Sequence, residues 1–150
     1  MILIVTSQLA TAATCVLSGG AVNFGAYNPV AAFPTDGAGT VSLQCTWSGS
    51  GGAEHVNYVV TLSTGVSGTY AARTMVSGAN TLTYNLYVDT ARTQIWGNGS
   101  AGTSVWSGSM NVSNGQPVQS ATATDYGRIP AGQDAAVGTY SDTITVTVNF

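Results

Sequence analysis

The chain has 150 residues, 44% of them hydrophobic and only 6% charged, with a formal net charge of -3. That length suits one domain with a genuine core, and the apolar content argues against disorder. Arg73, Arg92 and Arg128 are the only Arg and there is no Lys, which excludes the clustered positive charge that a nucleic-acid partner requires.

No apolar run reaches the length of a membrane-spanning helix. Soluble monomers normally use surface charge to resist association. A surface of Thr, Ser, Asn and Gly instead tolerates close packing against neighbours; the blander reading is an extracellular β-domain with a neutral surface. Two cysteines, Cys15 and Cys45, in a Lys-free chain favour a disulfide and an oxidising compartment. Closing that loop stabilises by about 3–4 kcal/mol on the chain-entropy model. With His55 the only histidine, a closed zinc site lacks ligands.

In chain order, Leu3, Val5, Ser7, Leu9 and Thr11 alternate with other residues ahead of Cys15 and form an N-terminal arm. Thr14 to Leu17 begins the first strand of the body, and Ala21 to Pro29 predicts a short strand running into a turn. Pro29 and Pro34 flank a loop ending in Asp36-Gly37-Ala38-Gly39, which predicts a turn. Thr40 to Trp47 alternates, placing Val41, Leu43, Cys45 and Trp47 on one face, with Cys45 inward toward Cys15. His55 to Ser63 repeats the pattern with Val56, Tyr58, Val60 and Leu62, and Thr81 to Asp89 with Leu82, Tyr84, Leu86 and Val88. Ser104 to Val112 and Val118 to Ile129 predict two longer strands joined through Asn114-Gly115, a hairpin signal.

The last stretch, Gly138 to Phe150, is the most informative. Ile144, Val146, Val148 and Phe150 alternate with Thr143, Thr145, Thr147 and Asn149, the period of a half-buried strand. Such an apolar strand needs neighbours on both sides, because an open edge invites pairing with another chain. No later segment of this sequence supplies one. An apolar arm at one end and an unpartnered strand at the other suggest a protein that joins copies of itself. With no helical periodicity, about seven strands and turns between them predict a two-sheet, immunoglobulin-like sandwich.

Chemistry is sparse. Glu54 and His55 are adjacent, so on a strand they point to opposite faces and make a poor catalytic pair. The carboxylates Asp36, Glu54, Asp89, Asp125, Asp134 and Asp142 show no spacing that suggests a glycosidase pair; Asp36 and Asp134 read as turn residues. Asn98-Gly99-Ser100 and Asn111-Val112-Ser113 match the glycosylation tripeptide. Trp47, Trp96 and Trp106 could stack sugars, although core packing is the commoner duty of such residues. No catalytic residue, metal ligand or cofactor is assigned.

An ordered set of motifs resembles the spore coat protein U domain family, which includes the major subunits (pilins) of archaic chaperone–usher pili. The pieces are Asn23-Phe24-Gly25-x-Tyr27, Cys15 with Cys45, Leu62-Ser63-x-Gly65, Arg73-x-Met75, Leu82-x-Tyr84-Asn85-Leu86-Tyr87-x-Asp89 and Trp96-Gly97-x-Gly99. The most specific are the run Tyr126 to Gln133 and Gly138-x-Tyr140-x-Asp142-Thr143-Ile144-x-Val146-x-Val148-x-Phe150. The resemblance implies an all-β, immunoglobulin-like sandwich (residues 14–150) lacking its seventh strand. Residues 1–13 are then a donor arm that completes a neighbouring copy by donor-strand exchange.

On this view Leu3, Val5, Ser7, Leu9 and Thr11 insert into the neighbour, and Ile144, Val146, Val148 and Phe150 line the acceptor groove that also faces a periplasmic chaperone. The partners implied are identical subunits in a helical fibre, that chaperone, and an outer-membrane usher. The protein implied is a non-enzymatic shaft subunit of an adhesive surface pilus of a Gram-negative bacterium, used in attachment and biofilm formation, with no nucleic acid and no membrane span. The competing reading is a tip adhesin or lectin-like secreted coat protein. Met1 to Val5 lacks the basic segment of a secretory signal, so the sequence is read as a mature or truncated form.

Overall fold

The computed structural model describes residues 5–6, 13–49 and 52–150, with side chains from residue 13 onward. The described strands are β1 (Val5–Thr6), β2 (Ala13–Gly19), β3 (Thr35–Trp47), β4 (Glu54–Leu62), β5 (Arg73–Ser77), β6 (Asn80–Tyr87), β7 (Trp106–Val112), β8 (Val118–Ile129) and β9 (Val146–Asn149). One sheet has the order β1-β9-β4-β7 and the other β2-β3-β8-β6-β5. The two face each other as an immunoglobulin-like sandwich.

Period-two alternation decides which face is inside. Along β3, β4 and β6 the residues Val41, Leu43, Cys45, Val56, Val60, Leu62, Leu82 and Leu86 are all buried, as their spacing predicts. Cys15 pairs with Cys45 across β2 and β3 and the two form a disulfide inside the core. The turn at Asn114-Gly115 is a two-residue connection: Ser113 and Gln116 exchange backbone hydrogen bonds, both 3.0 Å. It carries the chain from one sheet to the other.

Three local expectations change. Asp36 to Gly39 is not a turn but the first part of β3, paired with Asp125 to Arg128 of β8. Ala21 to Pro29 forms no strand, and instead lies across the inner face of β3 and β8. The two corrections share a cause. A Cβ on Gly37 would stand 2.8 Å from the Asn23 carbonyl oxygen, and one on Gly127 would stand 2.6 Å from the Phe24 ring. Gly37 and Gly39, which read as turn formers, serve with Gly127 as a flat floor under segment 20–27. Asp36 itself accepts two hydrogen bonds from Arg128, at 2.7 and 2.9 Å, and its carboxyl is held below its usual pKa by that bond. Finally, β2 begins at Ala13, which is buried opposite Trp47, one residue earlier than a body starting at residue 14.

Candidate functional site

The site is the edge of β9 and the cavity walled by the segment that leads into it. β9 pairs with β4 on one side, Val146 opposite Leu62 and Asn149 opposite Val59. On the other side, among the described residues, it meets β1 in parallel register, Val5 beside Val146 and Thr6 beside Thr147. The inner face of this segment is apolar: Ile144, Val146 and Val148 are all buried. Phe150 departs from the expectation that it shares their environment. Pairing stops at Asn149, and Phe150 is 37% exposed, beside Asn57 and Val59 rather than in the core.

The chain leading into β9 is held firmly on the side away from that edge. Ser141 and Val76 exchange backbone hydrogen bonds of 3.1 and 2.9 Å, and the Ser63 amide donates to the Thr145 carbonyl at 2.9 Å. The Thr145 amide in turn donates to the Ser63 hydroxyl at 2.9 Å. Asp142 is the central tie. It accepts from the Tyr84 hydroxyl at 2.7 Å and from the Val66 amide at 3.0 Å, and Gly65 lies so close that any side chain there would collide with its carboxylate. Burial, and then the bond to Asp142, push the Tyr84 phenol well above its usual pKa.

Above this tie the two layers part into a cavity of about 620 Å³. Its floor is Leu82, Tyr84, Leu86 and Ile129; one wall is segment 21–27 and the other is segment 135–142, which runs directly on into β9. Phe24 closes one side by packing edge-on to Tyr84, with ring centroids 5.8 Å apart. In strand addition generally, backbone groups of a sheet edge fix the added strand and apolar pockets take its alternate side chains. Ile144, Val146 and Val148 were legible in the sequence. The cavity was not, because its two walls stand more than a hundred positions apart and neither is a regular strand.

The proposed inserting residues Leu3, Ser7, Leu9 and Thr11 lie outside the described residues, and of Val5 only the backbone is described. The single chain places Val5 and Thr6 on its own β9, where the sequence reading places the arm on a neighbour. An isolated chain offers the arm no other β9.

The remaining chemical candidates are structural. His55 lies on the outer face of β4 with Nδ1 2.6 Å from Asn111 Oδ1. Asp36, Asp89 and Asp142 are each engaged at a different place, Asp89 by the amides of Thr93 and Gln94. Among the described residues no three of His, Cys, Asp and Glu approach closely enough to hold a metal, and no helix is long and apolar enough to cross a membrane. Trp96 is fully buried, its indole N–H donating to the Val60 carbonyl at 3.1 Å, and it packs edge-on to Trp106. These two form a brace between layers, not a sugar platform.

Sequence reasoning missed one buried polar network. Arg73, inaccessible to solvent, donates to the carbonyls of Ser63 and Trp96, at 2.8 and 2.7 Å, and to Asn85 Oδ1 at 2.7 Å. Asp125 faces the same interior with Oδ1 lacking any hydrogen bond. Burial pushes its carboxyl up to about 7, against the pull of the Arg73 charge.

Comparison with known proteins is consistent with this geometry. The family described as Spore Coat Protein U domain matches residues 2–147. Protein U of Myxococcus xanthus is 37% identical over 145 residues, covering 88% of this chain and 73% of that protein. Among solved structures, the CsuC–CsuE chaperone–tip adhesion subunit pre-assembly complex, from the archaic chaperone–usher Csu pili of Acinetobacter baumannii, contains a chain with the same fold. The TM-score is 0.56 at 24% identity, over 92% of this chain and 40% of that one.

Proposed function

Because the chain belongs to the Spore Coat Protein U domain family, matched over residues 2–147, we propose that it is a structural subunit of an archaic chaperone–usher pilus. It polymerises by donor-strand exchange and is secreted through the periplasm to the cell surface. The observation that carries this reading is the edge of β9. Its inner side chains are buried, its outer side meets, among the described residues, the two residues of β1, and segment 135–142, which leads into it, walls a cavity. A neighbour's arm, with Leu3, Val5, Ser7, Leu9 and Thr11 inward, completes the sheet. Before that, a periplasmic chaperone strand occupies the same edge, and an outer-membrane usher hosts the replacement. No catalytic role is proposed.

Shaft duty is the first reading, since the alternating residues Leu3, Val5, Ser7, Leu9 and Thr11 give the chain an arm to donate. A tip role is the second reading, since the structural neighbour is a complex of a tip adhesion subunit; saturable glycan affinity of a purified monomer would favour it. The decisive experiment removes residues 2–11 from the chain expressed with its chaperone and usher. A chaperone-bound monomer that forms no fibres is expected. Fibres of normal length in electron micrographs would end the proposal.

A further inference from the structure

The arm leaves the body at one pole of the sandwich. Ala13 pairs with Trp47, and Thr46 pairs with Val118, so Ala13, Trp47, Pro117 and Val118 share that end, the base. Thr35 pairs with Ile129 at the opposite end, the crown, where loops 28–34 and 130–138 lie. Val30 is 89% exposed, Phe33 80%, and Val137 fully exposed. Among the described residues these are the three most exposed large hydrophobic side chains, and all three stand at the crown. The cavity opens beside them, lined by Pro29 and Val137. The base is apolar too: Val118 is 48% exposed and Trp47 half-buried. Segments 28–34, 46–49 and 113–118 contain no charged residue, and 130–138 only Asp134.

We propose that the crown of one copy seats directly on the base of the next, Val30, Phe33 and Val137 against Trp47, Pro117 and Val118. This rests on the arm exchange proposed above and adds a second interface to it. β9 runs from the crown side toward the base, since it is antiparallel to β4 and follows loop 130–138. An arm entering antiparallel to a neighbour's β9 therefore finishes at that neighbour's crown. A parallel arm would bring base to base, making one pole serve two neighbours and leaving the other unused. The antiparallel arrangement uses each pole once and propagates without closing. Only Ala12 separates Thr11, the last inserting position, from Ala13, already buried in β2. One residue spans about 3.3 Å, so no tether holds the two bodies apart. Exposed apolar side chains rimmed by polar ones are the usual mark of such a contact.

The test uses the full-length chain carrying Val137→Cys and Val118→Cys, assembled into fibres with its chaperone and usher. The fibres are treated with a short bis-maleimide and fully denatured. Both positions are exposed, and the native disulfide is buried, so folding and background reaction are unaffected. A ladder of covalent oligomers, absent from either single variant, is the expected shift. Untreated fibres are run in mild denaturant alongside. If that lane shows oligomers but no covalent ladder forms, the pole contact is wrong and arm exchange stands. If neither lane shows oligomers, both readings fall.

Discussion

Asp125 offers the sharpest test of how the sandwich interior is built. Its side chain is 1% exposed, and its Oδ1 has no hydrogen-bond donor. The nearby charge is Arg73 of β5, whose guanidinium is committed to Ser63, Asn85 and Trp96. Burial dominates, and the carboxyl rises from 3.8 to about 7. A raised carboxyl pKa means the folded chain holds its proton to higher pH than the unfolded chain does. The contribution of this group to stability is therefore fully present below about pH 4, falls as pH rises from there toward 7, and levels off above. At about 1.4 kcal/mol per pKa unit, the whole fall is about 4 kcal/mol. Asp125→Asn removes the titration, so the variant gains on the wild type as pH rises and is the more stable chain at pH 8. Urea unfolding of the purified full-length chain at pH 5, 6, 7 and 8 measures both slopes. Wild-type stability that is flat or rising over that range would refute the reasoning. So would an Asp125→Asn variant that keeps the wild-type slope, because the titrating group would then lie elsewhere.

Substitutions at two further positions probe the scaffold beside the cavity. Arg73→Ala strips the donors from the buried carbonyls of Ser63 and Trp96, and a loss of about 3–5 kcal/mol is expected in urea unfolding. Arg73→Lys should recover only part of it, since one ammonium lacks the fork that spans both carbonyls. Gly37→Ala places a methyl 2.8 Å from the Asn23 carbonyl oxygen, so segment 20–27 must lift from the sheet. A destabilisation of about 1–3 kcal/mol is expected, together with faster amide exchange in residues 21–27 than in β6.

The all-β class, the burial of alternate residues in β3, β4, β6 and β9, and the Cys15–Cys45 pair follow from local pattern. A strand has a period of two and needs no distant information to decide which side chains turn inward. Ile144, Val146 and Val148 were legible for that reason, and the ordered motifs from Cys15 to Phe150 carried the family. Phe150 shared their parity, yet it escapes burial because pairing ends at Asn149, a fact of tertiary register.

Asp36 to Gly39 looked like a turn because glycine permits turns. It also permits the close approach of another backbone, and only the return of segment 20–27 over β3 decides between the two uses. The cavity, the Asp142–Tyr84 tie and the Arg73–Asp125 interior likewise join residues far apart in sequence, on surfaces where no periodicity signals a partner. Local alternation was sufficient to name the apolar strand that lies between β4 and β1. The packing of distant segments decided the shape of the cavity beside it, because that shape is set by which backbones come near enough to touch.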